Sequence, residues 1–169
     1  RHKLGDTPRL QPAYFALTEP YMLLIPGASE HREAKRWPEE HYAELATRIA
    51  DAGIMPVIIG GKAEGPLAHN IARREPRVKN LVTRTDLFQI VTLAEKALFV
   101  VGNDTGPMHM ATLAGAPGIA LFALTESDPD HSAPRGPKAP VIINSAPTLK
   151  ELSVDDVWQS VRALGLLPA

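Results

Sequence analysis

Short apolar runs alternate with amphipathic stretches along this chain, and each run stops at a turn signal. Tyr21-Met22-Leu23-Leu24-Ile25 is continuously apolar, the pattern of a strand buried on both faces, and Pro26-Gly27-Ala28-Ser29 ends it. Pro38-Glu39-Glu40 opens a helix, with proline in the first turn and acids where the helix dipole favours them. Tyr42, Leu45, Ala46, Ile49 and Ala50 form its apolar stripe and Gly53 closes it. Pro56 to Ile59 predicts a second strand, broken by Gly60-Gly61, and Leu67 to Arg74 a helix stopped by Pro76. Val78 to Val82 reads as a weaker third strand, and Thr85 or Asp86 caps a helix through Leu87, Ile90, Val91 and Leu93. Leu98 to Val101 is a fourth strand, followed by a polar turn and a helix over Met108 to Ala114. Gly118 to Phe122 and Val141 to Ile143 complete the strands. Ser153 caps a last helix packed down by Val157, Trp158, Val161 and Leu164.

Strands alternating with helices predict an α/β domain, a Rossmann-like parallel sheet with helices on both faces. In such sheets ligands bind beyond the carboxyl ends of the strands. The loops 26–37, 60–66, 102–107 and 123–140 all follow strands, so they gather on one rim. Residues 1–20, with Pro8, Pro12 and Pro20, read as a linker or arm, and residues 21–169 as the domain proper. A chain of 169 residues is long enough for one such core. Its net charge of -1 disfavours a generic nucleic-acid or membrane-surface binder. With no cysteine, thiolate nucleophiles and cysteine metal sites are excluded. No stretch approaches the ~20 apolar residues of a transmembrane segment, and no signal peptide opens the chain, so the cytoplasm is the expected location.

The chemistry concentrates in Gly102-Asn103-Asp104-Thr105-Gly106-Pro107-Met108-His109. Asp104 and Thr105 are cap types, Pro107 suits a first helical turn, and Gly102 and Gly106 permit a sharp bend. Such a turn aims free N–H groups and the positive dipole end into a crevice, the recipe for an anion site; it is equally the recipe for a well-capped helix without a ligand. Asn103-Asp104-Thr105 also matches a glycosylation triplet, which we treat as coincidence. A P-loop, a dinucleotide fingerprint and a hydrolase elbow are all absent, and the histidines show no metal-ligand spacing. What remains suits a sugar nucleotide. Ser29 and Lys35 follow the first strand and could meet phosphate, or serve as a turn residue and a solvated lysine. Glu64, after Gly60-Gly61, could accept ribose hydroxyls or simply face solvent. His109 reads as a site residue or a core histidine, and Trp37 as packing.

Taken together, Pro26-Gly27-Ala28-Ser29, Lys35-Arg36-Trp37-Pro38, Gly60-Gly61 and Asp104-Thr105-Gly106-Pro107-Met108-His109 resemble the carboxyl-terminal half of the family 9 glycosyltransferases. These are the heptosyltransferases of the lipopolysaccharide inner core. The resemblance covers residues 21–165 and implies the second half of a GT-B fold, two Rossmann-like domains facing across a cleft. It implies an inverting transfer of heptose from ADP-heptose without metal or other cofactor. Ser29, Lys35, Asp104, Thr105, Gly106 and His109 would hold the donor phosphates and sugar; Glu64, Thr85 and Leu87 would line the nucleoside. The family's catalytic base and acceptor site lie in an amino-terminal domain. No catalytic residue is therefore expected here, and the chain alone should bind donor without transferring it. The lipopolysaccharide acceptor would be reached through that missing domain, in the cytoplasm, with peripheral contact at the inner membrane left open. Two alternatives stand beside this one: a non-catalytic nucleotide-sugar-binding module, and a GT-B enzyme using a UDP- or GDP-sugar.

Overall fold

The computed structural model describes residues 17, 20–27, 36–103, 105–124 and 140–168. The strands are β1 (Tyr21–Ile25), β2 (Met55–Ile58), β3 (Lys79–Asn80), β4 (Val100–Asn103), β5 (Gly118–Ala123) and β6 (Val141–Ala146). They form one six-stranded sheet in the order β3-β2-β1-β4-β5-β6, and every pairing is parallel. The helices are α1 (Glu39–Asp51), α2 (Gly65–Arg74), α3 (Leu87–Lys96), α4 (Gly106–Leu113) and α5 (Val154–Ala163). Among the described residues no helix is long and apolar enough to cross a membrane.

Alternation along the strands sorts the core into two layers. Met22 and Leu24 pack with Tyr42, Leu45 and Ile49 of α1, Ile71 of α2 and Val157 of α5. Tyr21, Leu23 and Ile25 pack with Ile90 and Leu93 of α3 and Met108 and Ala111 of α4. A strand covered on both faces must be apolar at every position, and all five residues of β1 are buried. The order reverses between β1 and β4, and the helices that follow those two strands lie on opposite faces. A crevice opens at such a point, beyond the carboxyl ends of the strands.

The ladder departs from the sequence pattern where polar or small residues extend it. β4 runs through Gly102 and Asn103, which pair with Ala120 and Leu121. Gly102 can do so because β1 presses against it: a Cβ there would lie 2.6 Å from the Ile25 carbonyl oxygen. β6 continues past Ile143 through Asn144 and Ser145, tolerated because it is a half-exposed edge strand. β3 has only two residues, not the expected five from Val78 to Val82. Successive residues of a parallel strand point their N–H groups to opposite sides. Met55 donates toward β1, to the Pro20 carbonyl, so Pro56 sits on the β3 side and has no N–H to offer. β2 itself starts at Met55, one residue early; α2 begins at Gly65 with Pro66 in its first turn, and α4 at Gly106.

Glu75 ties α2 to α1 on the outside of the domain. Its buried carboxylate accepts from the Arg77 backbone and guanidinium and from the Thr47 hydroxyl, at 2.8 to 3.0 Å. Hydrogen bonds from Arg77, and less so from Thr47, lower its pKa from the ordinary 4.5 to about 2. A carboxylate held below its unfolded value stabilises the fold above that value, and the contribution disappears as pH falls toward 2. Thermal melts between pH 6 and pH 2 should show this loss, and Glu75→Gln should flatten the slope while lowering the melting temperature at pH 6. Gly102→Ala should cost at least ~2 kcal/mol in urea unfolding, because backbone has to move to admit the methyl group.

Candidate functional site

The end of β4 is fixed by one buried amide. Asn103 is 1% exposed, and its Nδ2 donates to the carbonyls of Pro26 (2.9 Å) and Gly27 (3.2 Å) just past β1. Its Oδ1 accepts from the Tyr42 hydroxyl of α1 at 3.0 Å. Two carbonyls can only be met by an NH₂ group, so the amide orientation is set by its partners. Burial raises the Tyr42 pKa well above the ordinary tyrosine range, which keeps the phenol protonated and donating. Tyr42 in turn packs edge-on against Trp37, with ring centroids 4.9 Å apart. Trp37 is buried and its indole N–H donates to the Leu152 carbonyl at 2.8 Å, so it is an anchor and not a stacking platform.

Beyond β4 comes α4. Thr105 is extended, and its hydroxyl accepts from the Met108 N–H at 3.4 Å. Thr105 was one of the two expected cap types; with Pro107 lacking an N–H and the Met108 and His109 N–H groups bonded to Thr105, Gly106 is the first-turn residue whose N–H is left for the crevice among the described residues. Gly106 is exposed at the helix start, and His109 is half-buried in the first turn with its N–H on the Thr105 carbonyl. It is not a core histidine.

On the other side of β1, Glu64 closes a 3-10 turn after β2. Its Oε1 accepts from the Gly61 N–H at 2.8 Å. The carboxyl group lies against two backbones that lack side chains: a Cβ on Gly60 would be 3.0 Å from that oxygen, and one on Gly27 3.3 Å. The ends of β1 and β2 thus make a slot around this acid. The loop after β3 is hooked to the same place, since the Thr83 N–H donates to the Gly60 carbonyl at 2.9 Å. Thr83 holds a φ of 66°, a left-handed conformation that a β-branched residue adopts only under constraint. Two residues on, the Thr85 hydroxyl is shielded from solvent with no partner among the described residues. Asp86 caps α3 by accepting from the Gln89 N–H, and Leu87 and Phe88 stand 57% and 69% exposed at its start.

The candidates therefore fall into two adjoining groups on one rim: Thr105, Gly106 and His109 at α4, and Glu64 with the loop carrying Thr85 and Leu87. Ser29, Lys35 and Asp104 lie outside the described residues, as do residues 125–139. Asn103, Tyr42 and Thr83 escaped the sequence reading. The partners of the Asn103 amide lie 61 to 77 residues away in sequence, so no local pattern signalled it.

The family description "Glycosyltransferase family 9 (heptosyltransferase)" matches residues 5–161. The chain belongs to glycosyltransferase family 9. It is 36% identical over 128 residues to lipopolysaccharide heptosyltransferase 2 of Escherichia coli strain K12, covering 73% of this chain and 36% of that protein. Its fold superposes on the E. coli ADP-heptose heptosyltransferase II structure with a TM-score of 0.79 and 30% identity, over 97% of this chain and 52% of that one. An E. coli heptosyltransferase solved with ADP gives a TM-score of 0.75 at 26% identity, over 90% and 48%. The chain thus spans about a third to a half of the length of these family 9 relatives. Their fold is the GT-B fold, and this sheet corresponds to one half of it.

Thr105→Val should lower stability by about 1 kcal/mol through the lost cap, and Thr105→Ser should restore it, as read by urea unfolding.

Proposed function

We propose that this chain is the donor-binding half of an inverting, metal-independent heptosyltransferase that takes heptose from ADP-heptose to the lipopolysaccharide inner core. The observation that carries the reading is the match to lipopolysaccharide heptosyltransferase 2 at 36% identity. The rim geometry supports it. The positive end of α4, with Thr105, the Gly106 N–H and His109, receives the diphosphate and sugar, and Ser29, Lys35 and Asp104 complete that side. Glu64 accepts from the ribose hydroxyls, and Thr85 and Leu87, with exposed Phe88 beside them, line the base.

In the transfer, an acceptor hydroxyl oxygen attacks the anomeric carbon from the face opposite the diphosphate. The bond from that carbon to the phosphate oxygen breaks, the electron pair leaves with ADP, and the hydroxyl proton passes to a base. Negative charge grows on the departing diphosphate, and the Gly106 N–H, the positive end of α4 and the Lys35 ammonium stabilise it more strongly in the transition state than in the ground state. In this reading the base and the acceptor site belong to an amino-terminal domain, from which residues 1–20 lead in. The protein works in the cytoplasm, where it meets the membrane-bound acceptor peripherally.

Titration with ADP, UDP, GDP and CDP, followed by amide NMR shifts, tests the donor assignment. ADP should bind in preference, and Lys35→Ala and Thr105→Val should each weaken it by about tenfold, the effect of one charge-assisted or cap-linked contact. Preference for UDP or GDP would overturn the donor, and heptose transfer by this chain alone would overturn the division of labour.

A further inference from the structure

The Asn103 carboxamide joins parts of the fold that no backbone ladder connects. It accepts from Tyr42 on α1 and donates to Pro26 and Gly27 past the end of β1, while its own strand continues into the α4 cap at Thr105. Gly27 borders the Glu64 carboxylate, which is also held by the Gly61 N–H. Hydrogen bonds therefore link Tyr42, Asn103 and the β1 end, and packing of the Gly27 backbone against the Glu64 carboxylate carries the connection to the second group of candidate ligand-binding residues. The chain of contacts is neutral until it reaches Glu64, and its central amide has both polar atoms in use.

We propose that Tyr42 and Asn103 form a positioning pair that sets the end of β1 between the α4 N-terminus and Glu64, so that a nucleoside diphosphate can engage both at once. This rests on the reading of the rim as a nucleotide-sugar site. Neither side chain touches the ligand. Their effect is on where the Gly27 backbone lies, and through it on the width of the slot that holds the Glu64 carboxylate. Without the Tyr42 hydroxyl the Asn103 oxygen is buried with nothing to accept, and the amide is free to rotate away from one of its two carbonyls.

Tyr42→Phe keeps the ring against Trp37 and removes only the hydroxyl. Ile49→Val, which shortens a buried side chain on the same helix, serves as a control for simple loss of stability. ADP affinity, melting temperature and amide hydrogen exchange are measured on the 169-residue chain, its Tyr42→Phe, Asn103→Ala and Ile49→Val variants, and the Tyr42→Phe/Asn103→Ala double variant. The expected result is a loss of ADP affinity of about tenfold in Tyr42→Phe, with Ile49→Val binding as the parent does even where their melting temperatures match. The double variant should bind no more weakly than Asn103→Ala, because the two act as one unit. Without ligand, exchange of the Gly61 amide should quicken in Tyr42→Phe and not in Ile49→Val. Unchanged affinity in Tyr42→Phe, or losses that simply add in the double variant, would overturn the pair. If the parent chain binds no nucleotide, the functional reading fails separately, and the Gly61 amide then decides: unchanged exchange in Tyr42→Phe refutes the positioning pair on its own.

Discussion

β1 and β4 meet at Gly102 with no room for a side chain between them. That contact decides where everything else on the rim can be. The strand order reverses there, and α1 and α4 leave on opposite faces of the sheet, so the ends of the two strands form the floor of a crevice. One residue later Asn103 replaces what a longer ladder would have supplied. Past Ile25 the β1 chain has no strand neighbour, yet the Pro26 and Gly27 carbonyls find donors in the Asn103 amide. A buried backbone oxygen left without a donor would cost about 1–3 kcal/mol, so the amide stabilises the very segment that borders the crevice.

The outer layer makes this arrangement rigid. Trp37 holds the entrance of α1 through Leu152, on the chain segment just before α5, and packs on Tyr42. The anchor therefore runs from the far end of the sequence to the centre of the sheet. Trp37 read as packing from the sequence, and the fold agrees: it is buried, bonded to Leu152 and set against Tyr42. Function at this rim depends on such packing because backbone N–H groups are useful to a ligand only when they cannot turn away from it.

Strand and helix identities were legible because burial on two faces leaves β1 and β5 almost wholly apolar, and because Ser153 and the pairs Thr85-Asp86 and Asp104-Thr105 are cap types at helix starts; within the pairs, Asp86 and Thr105 are the ones that cap. The ends of the strands were not. Apolarity stops at Val101, while the ladder stops at Asn103, and nothing in a polar asparagine announces that it will be buried. Asn144 and Ser145 hid the true length of β6 for the opposite reason: an edge strand need not be apolar. β3 was overestimated because Val78 to Val82 looks like a strand, although Pro56 offers no N–H at its start and the Val82 N–H turns to the Asn80 side chain at its end. For the site, residue type narrowed the cap to Asp104 or Thr105, and the bond to the Met108 N–H selects Thr105. The slot around Glu64 did not, since it depends on Gly27 and Gly60, which are distant in sequence and meet only across the sheet.

A leaving diphosphate constrains what can lie beneath it. If the rim holds one, negative charge under the α4 N-terminus would oppose the charge that develops there during transfer. Aspartate at position 103 would have nearly the same shape as asparagine, but it would face two carbonyl oxygens with acceptors only and place an unpaired charge in the core. Asparagine supplies both donors, accepts from Tyr42, and adds no charge. Glu64 is an acid on the same rim, but it lies across β1 from α4 and is held by the Gly61 N–H, where hydroxyl groups rather than phosphates are its natural partners. Asn103 thus keeps its own position at the end of β4 uncharged, while the Glu64 carboxylate stands on the other side of β1. Both therefore depend on the same close contact at Gly102.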